Sequence, residues 1–200
     1  MTAANKTFGF TDKTVPAGAY LTADPALVEA FRTRIERVPG RLEVALAWSG
    51  NPGHHRDHWR SMSLDAVKEL LDIPGVRFHS INPAKTLEAE TLAAGGHDIV
   101  AWGKDDLTDF ADTAALLSNL DCVVTVDTSA LHLAGALGIP TLALIDRAGS
   151  YLWGTGEGRT WWYDSVRVFR QSHLCDWRDV VARVKQALSS HATDDGMGLG

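Results

Sequence analysis

Cys122-Val123-Val124-Thr125-Val126-Asp127-Thr128-Ser129-Ala130-Leu131-His132-Leu133-Ala134-Gly135-Ala136-Leu137-Gly138-Ile139-Pro140 is the stretch on which the reading of this sequence turns. Its opening run is apolar and β-branched, the pattern of a strand buried on both faces. Asp127 and Thr128 break that run. From Ser129 the small residues predict a helix that Gly138 and Pro140 stop. Thr128 suits the N-cap, which turns the amides of Ser129 and Ala130 toward whatever lies beyond the strand end. Those donors and the helix dipole favour an anion there. His132 lies one turn later on the same face, with a side chain that leans back toward the helix N-terminus. A hydroxyl, backbone amides and an imidazole at one point predict a phosphate site. A plainer reading stands beside it, in which Asp-Thr-Ser only caps the helix and His132 is a satisfied core residue.

The totals narrow the class. Two hundred residues with 45% hydrophobic and 22% charged content suit one globular domain with a full core. A net charge of -6 and a pI near 5.7, with no strongly basic stretch, exclude a general nucleic-acid binder. No apolar run reaches the roughly 18 to 20 residues that span a membrane. Residues 1–10 lack the apolar core of a signal peptide. Cys122 and Cys175 are too few for a disulfide framework, so a cytoplasmic protein with free thiols is expected.

Outward from the central stretch, apolar runs and capping signals alternate. Residues 1–40 read as an irregular arm followed by a linker helix, which Asp24-Pro25 opens and Pro39-Gly40 ends. Strands are predicted at 42–48, 76–81, 98–102, 122–126, 141–145 and 166–170. Helices are predicted at 63–72, 84–94, 109–120, 129–137 and 176–189, and 191–200 reads as a flexible tail. The run 42–48 is taken as central on its apolar content. Such alternation predicts an α/β fold, a Rossmann-like three-layer sandwich over 41–190 with a parallel sheet of about six strands. Ligands of such sheets sit at the carboxyl ends of the strands, near a topological switch point.

The loops at those ends hold the remaining candidates. Residues 49–62 form a polar loop with Ser49, Gly50, Asn51, Gly53, His54, His55, Arg56, Asp57, His58, Arg60 and Ser61. Gly50 and Gly53 let backbone amides approach a ligand, and Arg56 and Arg60 suit phosphate oxygens. The histidines with Asp57 also resemble a metal site, although no thiolate or second carboxylate joins them. Asp112 and Thr113, one turn into a helix, fit either capping or ligand contact. Trp102, Tyr151 and Trp153 stand where they could stack on a base or ribose, with packing as the alternative. Trp161, Trp162, Tyr163 and Trp177 are assigned to the core or to a docking surface. No Gly-x-Gly-x-x-Gly, Walker motif or Gly-x-Ser-x-Gly occurs, which disfavours dinucleotide, NTPase and hydrolase chemistry.

Several ordered motifs together carry a family resemblance. Val44-Ala45-Leu46-Ala47-Trp48-Ser49-Gly50-Asn51-Pro52, followed by Arg60-Ser61, resembles the start of the C-terminal half of bacterial glycosyltransferases often fused to TPR repeats. These are similar to the lipopolysaccharide heptosyltransferases. Asp109-Phe110-Ala111-Asp112-Thr113-Ala114-Ala115-Leu116, Asp127-Thr128-x-x-x-His132, Phe169-Arg170-Gln171 and Tyr20-Leu21-x-Ala23-Asp24-Pro25 agree in order and spacing. The resemblance covers about residues 8–189. It implies one lobe of a GT-B fold, the lobe that binds a nucleotide-diphosphate-sugar donor, with no metal and no other cofactor. It further implies that Asp127, Thr128, Ser129 and His132 hold the donor diphosphate, and that Ser49, Gly50, Asn51 and above all Arg60 close over it. Asp112, Thr113 and Trp102 complete the expected donor contacts. The catalytic base belongs to the family's acceptor lobe, which would precede residue 8. The expected partners are therefore the donor and an acceptor lobe in cis or trans, or self-association through an exposed apolar face. A non-catalytic nucleotide or nucleotide-sugar binding module is the alternative.

Overall fold

A computed structural model describes residues 17–193. The expected arm over 1–16 and the tail over 194–200 lie outside the described residues. Helix α1, Pro25–Arg32, begins as the sequence predicts: Asp24 accepts from the Ala26 amide at 2.8 Å, and Pro25 fills the first position. It stops well before residue 38. Beyond it Arg34, Arg37 and Arg41 pair with Asp106, Asp121 and Asp98, and the chain follows those contacts instead of continuing the helix.

The remaining elements follow in order: β1 Leu42–Ala47, α2 Asp57–Arg60, α3 Leu64–Leu71, β2 Val76–Ser80, α4 Thr86–Ala94, β3 Ile99–Ala101 and α5 Phe110–Leu117. Then come β4 Cys122–Val126, α6 Ser129–Leu137, β5 Thr141–Ile145, β6 Gly158–Arg159, β7 Val166–Arg170 and α7 Arg178–Thr193. Short 3₁₀ turns occupy Pro83–Lys85 and Tyr151–Trp153. The strands form one sheet in the order β3-β2-β1-β4-β5-β7-β6, parallel except where β6 meets β7. All six expected strands are present. The added β6 is two residues long, too short to leave a periodicity in the sequence. Likewise α2, a single turn, lies inside what reads as an unbroken loop.

Both faces of the sheet are covered. Val44, Leu46, Trp48, Val124 and Val126 face α3 and α7, while Ala45, Ala47 and Val123 face α1, α5 and α6. Burying a large aliphatic side chain contributes about 1.5–3 kcal/mol, so these two layers carry most of the fold. Strand β1 pairs with β2 on one side and β4 on the other, with Val44 opposite Cys122 and Ala47 opposite Thr125. The chain leaves β1 toward β2 but leaves β4 toward β5. The topological switch therefore falls between β1 and β4, and a crevice opens at their carboxyl ends.

One residue of β1 departs from the apolar reading. Glu43 is fully buried, with Oε2 2.7 Å from His79 Nε2. The Trp102 indole N–H donates to His79 Nδ1 at 3.0 Å. Nδ1 is thus the unprotonated nitrogen, and Nε2 carries the proton that Glu43 accepts. Burial pushes the His79 pKa down, against the pull of Glu43. Among the described residues no helix is long and apolar enough to cross a membrane.

Candidate functional site

The crevice at the switch point measures about 620 Å³. Ser49, Gly50, Asn51 and Arg60 line it from the β1 side, and Thr128, Ser129 and Ala130 from the first turn of α6. Residues 81–84 after β2 and the start of α5, including Leu107, Phe110 and Thr113, form its outer wall.

Three groups in this crevice have unspent bonding capacity. Thr128 has the extended backbone of an N-cap, but its hydroxyl makes no capping bond. It lies 3.3 Å from the Thr125 hydroxyl instead. The capping expected of Thr128 is therefore corrected, and the Ser129 and Ala130 amides have no acceptor among the described residues. Ser49 is buried, and its hydroxyl also has no partner among the described residues. A buried polar atom left unpaired costs about 1–3 kcal/mol, which marks a place where a ligand atom is wanted. Arg60 supplies the positive charge. Its Nε bonds Asp57 Oδ1 at 3.1 Å, its Nη1 donates to the Asp127 carbonyl at 2.8 Å, and Nη2 has no protein partner among the described residues. A Cβ on residue 50 would collide with this guanidinium, so Gly50 is what lets the arginine lie against the loop.

The predicted single point of convergence is split in two. His132 does not line the crevice. Its Nδ1 lies 3.1 Å from the Tyr163 hydroxyl, and its ring packs on Trp153 at 5.0 Å between centroids. The Asp127 carboxylate faces the same aromatic side, accepting from the Trp153 indole N–H at 2.9 Å. Burial lowers the His132 pKa, and the nearby Asp127 charge acts the other way. Helix α6 can accept this aromatic wall because Gly135 leaves room for the Tyr163 ring, where any Cβ would collide.

Other candidates resolve individually. Arg56 does not reach the crevice: its Nη2 pairs with Asp146 at 3.0 Å and also donates to the Ala148 carbonyl. Asp112 accepts from the Thr108 amide at 2.9 Å and hydroxyl at 2.5 Å, and these bonds hold its carboxyl below the usual range. That is the capping role. Thr113 lines the crevice while its hydroxyl donates to the Asp109 carbonyl at 3.0 Å. Trp102 is corrected as a stacking residue. It is 4% exposed, packed on Phe31 and His79 under the Arg34 guanidinium, because α1 folds over the end of β3. Trp153 is likewise buried. The Tyr151 side chain lies outside what is described. His54 stacks on His55, and its Nδ1 accepts from the Arg56 amide at 3.2 Å. Among the described residues no group of three or more His, Cys, Asp or Glu is placed to hold a metal ion. Both cysteines are free, and burial pushes the Cys122 thiol up to about 12.

One contributor has no motif in the sequence. Asn82 accepts from the Trp48 amide at 2.9 Å and donates to the Ser49 carbonyl at 2.9 Å, pinning the end of β1 where the crevice begins. The sequence places residues 82–84 in a loop at the carboxyl end of a strand, and that place is the signal for Asn82.

The model of glycosyltransferase family 9 (heptosyltransferase) matches residues 54–151. Over that segment the chain is similar to glycosyltransferase family 9. It is 28% identical over 179 residues to Protein FlbA of Caulobacter vibrioides, an alignment that takes in 87% of this chain and 29% of FlbA. The ADP-heptose lps heptosyltransferase II of E. coli superposes with a TM-score of 0.61 at 16% identity, covering 86% of this chain and 53% of that one. E. coli heptosyltransferase WaaC, solved with ADP-2-deoxy-2-fluoro heptose, gives 0.54 at 20% identity, covering 94% and 53%. The chain thus spans about half the length of these heptosyltransferase structures and less than a third of FlbA. Its α/β fold, with a mostly parallel seven-stranded sheet, is that of the matched half of the heptosyltransferases.

Proposed function

We propose that this chain is the donor-binding half of a metal-independent glycosyltransferase, acting with an acceptor lobe in cis or trans. The carrying observation is the uncapped first turn of α6, which faces Arg60 and the unpartnered Ser49 hydroxyl across the β1–β4 switch point. Departure of a nucleoside diphosphate builds negative charge on its terminal phosphate. Fixed amides and a held guanidinium stabilise that charge without a divalent cation. In the transfer step an acceptor hydroxyl displaces the diphosphate at the anomeric carbon and gives its proton to a base. The sugar-nucleotide bound to WaaC supports an ADP-sugar as the first probe.

The carboxylates near the crevice favour the need for a second lobe. Asp57 is bonded to Arg60, Asp109 caps α5, Asp112 holds Thr108, and Asp127 holds Trp153. None of these four is free to take the acceptor proton. The same observation supports the alternative, a nucleotide-sugar binding module without catalysis. Calorimetry with ADP and ADP-heptose in the presence of EDTA tests the shared part of both readings. Saturable binding that Arg60→Ala weakens is the expected result. An absence of binding by ADP, UDP and GDP at millimolar concentration overturns it. Release of nucleoside diphosphate from the sugar donor that appears only when an acceptor lobe is supplied then separates enzyme from binding module.

A further inference from the structure

We propose that Arg34 is a positioning residue for the nucleoside half of the donor, because it holds the turn from which the outer wall of the crevice hangs. The inference rests on the donor-site reading for its ligand and on its own contacts for its place. Neither Arg34 nor its partner Asp106 lines the crevice. Both act on a ligand only through the segment that follows them.

The crevice has two unlike ends. Arg60, Ser49 and the first turn of α6 offer charge and donors at one end, and Ile81, Leu107 and Phe110 offer apolar surface at the other. A nucleoside diphosphate is divided in the same way, into an anion and a flat, largely apolar base. With the diphosphate at the first end, the base meets the second. Phe110 lines that end and is 59% exposed, which leaves an aromatic surface open to the base.

Leu107 and Phe110 owe their place to the turn over 103–107. The Gly103 amide donates to Asp106 Oδ2 at 2.9 Å, and the Asp106 and Leu107 amides donate to the Gly103 carbonyl at 3.2 and 3.0 Å. The Gly103 amide, and after it Arg34, hold the Asp106 carboxyl below its usual range. The other carboxylate oxygen, Oδ1, accepts from Arg34 Nη2. The same guanidinium lies 4.6 Å from the centre of the Trp102 ring and 5.2 Å from that of Phe31. Trp102 directly precedes the turn, with its indole N–H fixed on His79. One planar cation thus grips the turn twice, at Trp102 by stacking and at Asp106 by charge. Arg34 arrives from the close of α1, where its amide donates to the Phe31 carbonyl at 3.0 Å. The wall is therefore set against α1, not by its own residues alone. A partly exposed ion pair adds little to stability, so its consequence is placement.

Calorimetry with ADP and with pyrophosphate is compared across wild type, Arg34→Ala, Arg34→Lys, Asp106→Asn and the Arg34→Ala, Asp106→Asn double variant. Arg34→Ala is expected to weaken ADP about fivefold and to leave pyrophosphate within about twofold, because α6 and Arg60 are untouched. Arg34→Lys keeps the charge and recovers part of the loss. Asp106→Asn keeps an oxygen for the Gly103 amide but matches Arg34→Ala, and the double variant loses nothing further. In the unliganded protein, amide exchange at Gly103 and Leu107 quickens about tenfold in Arg34→Ala, while exchange in β1 and β4 stays as it was. An unchanged ratio of ADP to pyrophosphate affinity in Arg34→Ala overturns the inference. An equal loss of both ligands also overturns it, since a general loosening of the fold gives that result. Exchange at Gly103 and Leu107 equal to wild type does the same. Should wild type bind neither ligand, the donor-site reading itself has failed, and the nucleoside role fails with it.

Discussion

Arg56 and Arg60 stand four residues apart in one loop and look interchangeable in sequence, yet they belong to different parts of the molecule. Arg60 turns toward the crevice, held by Asp57 and the Asp127 carbonyl with one nitrogen unspent. Arg56 turns away, over the Trp59 ring, to the buried carboxylate of Asp146 and the Ala148 carbonyl beyond β5. One arginine lines the crevice and the other straps two loops together. The same division runs through the β4–α6 junction, where the amides face the crevice and the Asp127 carboxylate and His132 face an aromatic wall. The lesson is that spacing identifies which residues meet at a strand end, but not the side from which each approaches.

The largest expected effect breaks the strap. Arg56→Ala leaves Asp146, which is 2% exposed, without its guanidinium partner. Breaking a buried pair costs about 3–5 kcal/mol, and the partly exposed Arg56 with Arg170 nearby brings this to about 2–3 kcal/mol. Denaturant unfolding should register that loss, while ADP affinity per folded molecule stays within a factor of about two. Arg60→Ala should do the reverse. Loss of one charged hydrogen-bond donor costs about 1.5–3 kcal/mol of diphosphate binding, or roughly tenfold to a hundredfold in Kd by calorimetry. If the two variants change the same quantity, the division between strap and site is wrong.

The acid side of the stability curve sharpens a second contrast, between the buried His79 and ordinary surface histidines. Desolvation holds the His79 pKa below its ordinary value, with Arg77 and Arg37 adding to the shift and Glu43 opposing it. The unfolded chain therefore takes up a proton before the folded one does. Stability is complete above about pH 6.5 and falls as pH drops through that value toward the folded-state pKa. One such proton contributes a slope of at most about 1.4 kcal/mol per pH unit. Unfolding midpoints between pH 7.5 and 5.5 should fall, and His79→Gln should flatten the fall. A midpoint that rises on acidification would mean that Glu43 keeps His79 charged.

The strand runs, the caps at Asp24, Ser63 and Asp109, and the stop at Gly138 were legible because each depends on residues adjacent in sequence. The crevice was legible in outline for the same reason: Ser49 to Asn51 and Thr128 to Ala130 end neighbouring strands. What local sequence did not contain was direction. Trp102 reads as a residue at the ligand edge, but α1 arrives from another part of the chain and covers it. Glu43 hides in an apolar strand because its partner is on β2. Asn82 holds the end of β1 through bonds to Trp48 and Ser49, 34 and 33 positions earlier in the chain.

The smallest expected effect concerns His132. The Asp127-Thr128-x-x-x-His132 pattern suggests direct contact with the diphosphate, whereas the ring is bonded to Tyr163 and stacked on Trp153. Burial favours the neutral imidazole, whose Nδ1 shares a hydrogen bond with the Tyr163 hydroxyl. A neutral ring facing away from the crevice contributes little to an anion on its far side. His132→Gln, which keeps a hydrogen-bonding partner for Tyr163, should therefore move ADP affinity by less than about threefold, or roughly 0.6 kcal/mol. A loss comparable to that of Arg60→Ala would require the imidazole to swing off Tyr163 when the diphosphate binds. The tyrosine hydroxyl would then lose that partner, and an ADP-dependent change in Trp153 fluorescence would accompany the loss.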